Sequence, residues 1–356
     1  MIRWAVLVVL TGATATPQQK PAESLFAAAI ELRDSGKQIE ALREFRRAAR
    51  VDPKLRYVHR EIGLILLDRR DFAAAASEFQ IAAQQDPEDL PSRYNFALSL
   101  ANAGQKQEGL RQLRTILQRS PGWGLAWFGL GHVYTMLGRK AEAEQAFRKA
   151  VQLDDQLFRA HFELGKLLEE KGDVEAAIEA FSAGIRLAPD SASARFRLAK
   201  LLRQAGRQEE SAEQFRATRD LRDQRGRGEQ AAAAYAAGLA LLQQKQYSAA
   251  IGELKQAREL RPDFPETQTA LAEAYQQRAI AIEQTGNLAE ATADYQLAME
   301  LAPSPELANH IGVLLAKLGR TKEAVAMFRR ALADKPGYAA ASTNLQHALE
   351  LKGAGR

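Results

Sequence analysis

Cysteine is absent from all 356 residues, which excludes disulfides, thiolate metal sites and lipid attachment through a cysteine. The redox compartment therefore leaves no mark on the chain. Proline is scarce at 12 residues and aromatics make up only 7 %. The mixture of Ala, Leu, Glu, Gln, Arg and Lys that remains loses little side-chain freedom in a helix, so helix is predicted throughout with almost no strand. No apolar run approaches the roughly 20 residues that a membrane-spanning helix needs. Neither sign of charge dominates: 49 basic residues face 44 acidic ones, for a formal +5. Interspersed along the sequence they form no dense cationic block, so charge alone gives no indication of nucleic acid. An apolar content of 46 % excludes wholesale disorder, and the length suffices for two or three ordinary domains.

The first residues, Met1-Ile2-Arg3, are followed by the apolar run Trp4 to Leu10 and by Ala13-Thr14-Ala15, with polar residues from Thr16. A basic start, a short hydrophobic stretch and a small-x-small site make the pattern of a secretory signal. The expectation is processing after Ala15 and a periplasmic or extracellular location. The alternative is an uncleaved amphipathic start to the first helix.

A period then organises the rest. Prolines 53, 87, 121 and 189 fall on one 34-residue grid, with Asp155 and Asp223 in its two empty slots, and Pro262, Pro303 and Pro336 continue it after small shifts. Seventeen residues before a grid mark stand glycines 36, 104, 138, 172, 206, 286 and 319, where a helical hairpin must turn. Only Arg70 and Lys245 break that rule. Eight residues before each mark the side chain is bulky: Phe45, Phe79, Leu113, Phe147, Phe181, Phe215, Leu254, Tyr295 and Phe328. Four residues earlier it is always small: Ala41, Ala75, Gly109, Ala143, Ala177, Ser211, Ala250, Ala291 and Ala324. One such hairpin cannot bury its apolar face alone, so stacked neighbours must supply the core.

In the stretch from Gly124 to Asp155, the residues Trp127, Leu130, Gly131, Tyr134, Gly138, Ala143, Phe147 and Ala150 stand at fixed spacing. The chain thereby resembles the tetratricopeptide repeat family, from about Ala22 to Tyr338, with Asp155 where the family's closing proline would be. The resemblance implies an all-α, right-handed superhelical solenoid of about nine hairpins, whose first helices line a concave groove that holds peptides or partner proteins. The predicted organisation is a signal over 1–15, a short linker over 16–21, six repeats over 22–225, an insertion or hinge over 226–230, three repeats over 231–338, and a capping helix and tail over 339–356. Leu345 and Leu349 would be the apolar residues of that cap.

Two departures from the grid carry meaning. Gly226-Arg-Gly-Glu-Gln230 adds five residues, not a whole number of helical turns, and is expected to break or bend the stack. In the eighth repeat the glycine comes seven residues late, after Gln276 to Ile282. Seven residues are close to two turns, drifting only ~20°, so one helix should lengthen without rotating its face.

Catalytic patterns are not found. Histidines 59, 132, 161, 310 and 347 have no partner at metal-ligand spacing, and neither H-E-x-x-H nor a phosphate-binding G-x-x-x-x-G-K-[ST] occurs. His59 and His161 occupy the slot of Trp127 and are read as packing residues with one ring nitrogen satisfied locally. Glycines 122, 124, 129 and 131 follow no strand and do not make a dinucleotide loop. Acidic pairs such as Glu169-Glu170 and Glu209-Glu210 are adjacent in sequence rather than facing across a cleft. No enzyme activity, cofactor or metal is implied.

The candidate site is the groove. The slot after the Trp127-type residue is aromatic in five consecutive repeats: Tyr94, Phe128, Phe162, Phe196 and Tyr235. Four residues on, on the same helical face, stand Leu98, His132, Lys166, Lys200 and Leu239, and Arg159 and Arg203 add charge. Such a row is either a packing habit of the family with a solvated basic face, or a stripe of recognition anchors. The clamp by which some family members hold a partner's terminal carboxylate is incomplete, since Arg60 and Asn95 match two of its slots but Leu64, Leu125 and Gly129 stand in the others. The expected function is a non-catalytic scaffold or adaptor, exported to the cell envelope, that binds a protein or peptide of unknown identity, with no nucleic acid and no membrane span after signal cleavage. A second reading is an envelope polyanion or glycan bound by the basic central repeats.

Overall fold

The structure, a computed structural model, describes residues 19–354. The expected signal lies outside the described residues. Eighteen α-helices and no strand are found among the described residues. They alternate as α1 (Gln19–Asp34), α2 (Gln38–Val51), α3 (Val58–Asp68), α4 (Phe72–Gln85), α5 (Leu90–Asn102), α6 (Lys106–Arg119), α7 (Gly124–Met136), α8 (Lys140–Leu153), α9 (Phe158–Lys171), α10 (Val174–Leu187) and α11 (Ala192–Gln204). Then follow α12 (Gln208–Gln243), α13 (Tyr247–Leu260), α14 (Pro265–Gln284), α15 (Leu288–Leu301), α16 (Pro305–Lys317), α17 (Thr321–Asp334) and α18 (Ala339–Ala354). The expected all-α repeat architecture is what is found.

Each hairpin turns where the period predicts. The seven grid glycines all have positive φ, and so do Arg70 and Lys245, both at 60°. At Gly138, φ is 72° and the next amide, Arg139 N–H, donates back to the Tyr134 carbonyl at 2.9 Å, closing the end of α7. At Arg70 the same bond is made by Asp71 N–H to Leu66 O, also at 2.9 Å. The turn is thus imposed by the hairpin even where the residue pays a steric cost. The following helix starts on a cap where the sequence has one: Asp71 accepts from the Ala74 amide, and Asp173 from that of Ala176.

Packing within a hairpin explains the two columns. Of the small column, Ala41, Ala75, Ala143, Ala177, Ala250, Ala291 and Ala324 are fully buried, and the Ser211 hydroxyl donates to the Ala199 carbonyl at 2.8 Å. Of the bulky column, Phe45, Phe79, Leu113, Phe147, Phe181 and Leu254 are fully buried, while Phe215 is half-buried. The bulky residue seats on a glycine or alanine of the first helix. A Cβ on Gly131 would come within 2.6 Å of the Phe147 ring, and one on Gly238 within 2.6 Å of Leu254. The close approach lets ring and backbone pack in direct contact.

The chain divides into two compact units, at Thr218 and Arg219. The first contains α1 to α11 and the start of α12; its pairs are α1 with α2, α3 with α4, α5 with α6, α7 with α8 and α9 with α10, and Phe215 of α12 meets Phe196 of α11. In the second, the later part of α12 lies against α13, through Gly238 and Leu254, followed by the pairs α14 with α15 and α16 with α17, closed by α18. In α18 the residues that bury are Ala341 and Ala348, with Leu345 half-buried, whereas Leu349 stays 42 % exposed.

One boundary needs correction. Gln19, Lys20 and Pro21 belong to α1 rather than to a linker, because a proline in the first helical turn removes no hydrogen bond. Residues 226–230, expected as an insertion or hinge that breaks or bends the stack, lie inside the 36-residue α12. The segment contains no proline, and Arg225 pairs with Glu229 at 3.0 Å one turn away, so its two glycines weaken the helix without ending it. The late glycine of the eighth repeat does what its spacing predicts: α14 has 20 residues where α16 has 13.

Candidate functional site

In the first unit, α5, α7, α9 and α11 are the first helices of successive hairpins, and α5 touches α7 directly. The last three, α7, α9 and α11, each begin on a loop that one of their own side chains fastens. Trp127 Nε1–H donates to the Pro121 carbonyl at 2.8 Å, and Arg195 Nε–H donates to that of Pro189 at 2.8 Å. His161 Nε2 lies 3.1 Å from the Asp155 carbonyl. One repeat slot, three chemistries and one carbonyl six residues upstream make an anchor for the helix start. His59, in the same slot, instead places Nδ1 2.7 Å from the Glu78 carboxylate, so both histidines do have one ring nitrogen satisfied locally.

With the helices so fixed, the aromatic row turns largely inward. Phe128 meets Phe147 at 5.7 Å between ring centres, Phe162 meets Phe181 at 5.7 Å, and Phe196 meets Phe215 at 5.8 Å. In each case the partner is the bulky residue of the same hairpin. Tyr94 is the exception and a correction: it is only 8 % exposed, so it cannot serve as a surface anchor. Its ring lies at 5.6 Å from that of Trp123, in space that a Cβ at Gly129 would enter at 2.6 Å. Burial pushes the Tyr94 phenol far above its ordinary pKa, against the opposing pull of Arg159. Phe196 is the most open ring of the row, at 38 %. Tyr235 belongs to the second unit, where it packs on Phe264 at 5.1 Å.

The basic row divides as well. Lys166 donates to the Glu163 carboxylate at 2.7 Å and stands 5.8 Å from the centre of the Phe162 ring, so its charge is already matched. Glu163 escaped the sequence reading, although its i, i+3 spacing to Lys166 is the signal that could have found it. Arg159, Lys200 and Arg203 are exposed and make no ion pair among the described residues; Arg203 stacks over Phe215 at 5.7 Å. His132 is half-buried. Burial, the largest influence, pushes its imidazole below the ordinary value; Glu163 opposes this, while Lys166 and Arg159 push the same way.

The second unit carries a polar cluster that sequence reasoning missed. The two added turns of α14 bring Glu283 to α15 and α16, where its carboxylate accepts from the Tyr295 hydroxyl at 3.0 Å and lies 2.8 Å from His310 Nε2. In the same turns Arg278 holds the buried Asp294 of α15 with two hydrogen bonds, at 2.6 and 2.7 Å. These contacts fasten the long helix to its neighbours. Among the described residues no group of three His, Asp or Glu is placed to hold a metal, and no helix is long and apolar enough to cross a membrane.

A family model described as tetratricopeptide repeat matches residues 26–89, 94–157, 162–226 and 277–339, and a second, described as TPR repeat, matches 238–278. No curated protein matches the chain by sequence. Among solved structures, the chain is similar to Pseudomonas aeruginosa pilF at 16 % identity and TM-score 0.49, over 56 % of this chain and 90 % of that one. It is similar to MamA from Desulfovibrio magneticus RS-1 at 22 % and 0.43, over 49 % and 98 %. It is likewise similar to YrrB, described as a TPR protein with an unusual peptide-binding site, at 19 % and 0.39, over 50 % and 96 %.

Proposed function

Because the chain belongs to the tetratricopeptide repeat family, we propose that it is a non-catalytic scaffold that holds an extended segment of a partner protein along the first helices of its central repeats. The observation that carries this reading is the face of α11 that presents Phe196, 38 % exposed, with Lys200 four and Arg203 seven residues on, beside the exposed Arg159 of α9; the three cations have no ion pair among the described residues. A segment with an apolar side chain and at least one carboxylate satisfies both features. Phe196 supplies contact area, and the cations supply orientation and encounter rate more than affinity. The basic start, the Trp4 to Leu10 run and the Ala13-Thr14-Ala15 site support export to the envelope, where N-terminal sequencing should return Thr16.

The test is a pull-down from the native envelope fraction with the full chain as bait, beside Phe196→Ala and a Lys200→Glu, Arg203→Glu double variant. Truncating an aromatic anchor typically costs ~2 kcal/mol or more. A protein retained by the parent and lost by Phe196→Ala supports the reading; one retained equally by all three places recognition elsewhere. These exposed cations also suit a polyanion or glycan. That reading is favoured if binding survives Phe196→Ala but collapses with added salt.

A further inference from the structure

Residues 37–70 hold ten Lys and Arg against five Asp and Glu, an excess equal to the +5 of the entire chain. Helix α2 gathers four of these cations, Arg43, Arg46, Arg47 and Arg50, at spacings of three, four and seven. At about 100° per residue, Ile39, Arg43, Arg46 and Arg50 share one narrow stripe, with Arg47 beside it. All are exposed, Ile39 by 56 %. Arg47 is engaged with Glu44 at 2.9 Å, but Arg43, Arg46 and Arg50 make no ion pair among the described residues. Nor does Arg69, on the turn between α3 and α4.

These groups are not merely a charged face. Ile39, Leu42 and Leu66 floor a groove of about 330 Å³ between α2 and the α3–α4 turn, and Arg43, Arg46 and Arg69 stand around it. The acid that also lines it, Asp71, is committed to the start of α4 through the Ala74 amide at 3.3 Å. The geometry points to a second docking site, on α2 and apart from the aromatic row, for a protein segment that presents one aliphatic side chain flanked by carboxylates. An apolar floor needs an apolar occupant, and a rim of three guanidiniums needs anions, which arginine grips in two-pronged fashion. The chain's own residues 1–18 contain Arg3 and no Asp or Glu, so they cannot neutralise that rim. A flat lipid surface would meet the arginines but leave the groove empty.

The experiment uses the full chain and a fluorescently labelled peptide of Glu-Glu-Leu repeats, followed by anisotropy at low salt. The parent should bind it, and Arg43→Glu with Arg46→Glu should weaken binding about tenfold or more, as like charges do at such a rim. Arg69→Glu, on a turn rather than a helix, should weaken it in the same direction and serves if the helix variant fails to fold. Ile39→Ser should weaken it too, whereas Arg329→Glu with Arg330→Glu, on the exposed side of α17, should bind as the parent does; a Lys166→Glu, Lys200→Glu variant is run beside them. Binding unchanged by the arginine reversals overturns the inference. Loss only in the Lys166, Lys200 variant also overturns it, while leaving the aromatic-row reading standing. A Glu-Glu-Gly peptide that binds as tightly removes the groove from the argument and overturns it. So do vesicles of phosphatidylglycerol that bind the arginine face when the peptide does not.

Discussion

At the residue scale, the nine turns that the spacing marks among the described residues form an internal experiment. Seven are glycine and two, Arg70 and Lys245, reach the same left-handed backbone at a steric cost. Left-handed geometry costs a residue with a Cβ roughly 1–2 kcal/mol, part of which glycine returns through its greater freedom when unfolded. Lys245→Gly should therefore raise stability by about 0.5–1 kcal/mol, and Gly138→Ala should lower it by about 1 kcal/mol, both read from urea unfolding. His132 offers a second prediction. Its folded pKa is lowered, so its neutral form favours the fold. That contribution is complete above the unfolded value near ~6.5 and falls away as pH drops below it, because the unfolded chain then takes up the proton more readily. Melting temperatures followed from pH 7.5 to about 5 should decline, and His132→Gln should flatten that decline.

At the element scale, the helices divide into those the period dictates and those the exceptions built. The period was legible because each slot has one job: Gly131 seats Phe147, and Ala143 lets two backbones meet. What was not legible was how helices continue. The five residues at 226–230 look like a break when counted against a grid, yet helix needs only unobstructed backbone and a supporting pair, which Arg225 and Glu229 provide. That stretch buries little, and its two glycines cost ~1 kcal/mol each. Trypsin should cut first between Arg219 and Arg227, and Gly226→Ala with Gly228→Ala should slow that cut several-fold. In α14 the long-range pair is the firmer support. Arg278→Ala leaves the Asp294 carboxylate buried without its partner, and a loss of about 2–3 kcal/mol is expected in the denaturation of the full chain. The value sits below that of a fully buried pair because Arg278 keeps a wet edge.

At the scale of the whole molecule, sequence and structure agree on architecture and diverge on surface. Repeat spacing reports what must be inside, since burial constrains every slot. Exposure is decided between elements, where spacing is silent. Tyr94 reads as a groove aromatic by its slot and is buried because Gly129, in another hairpin, makes room for it. Lys166 reads as a free cation and is matched by Glu163. Conversely, arginines that look dispersed along the chain converge on α2 and the neighbouring turn once it coils. Charge counted along a string is averaged, while a helix sorts it by angle.

The lengthened α14 has a consequence for how such a chain can grow. Its seven extra residues extend the helix by about 10 Å while returning the face almost to phase, which is what lets Arg278 and Glu283 find α15 and α16. Growth of this kind is quantised. A library of random inserts placed after Tyr275 should yield folded, protease-resistant clones at seven and fourteen added residues, and few at five or nine. The hairpin's outer end thereby becomes a graft point, where new sequence can be lodged and tried without renegotiating the core beneath it.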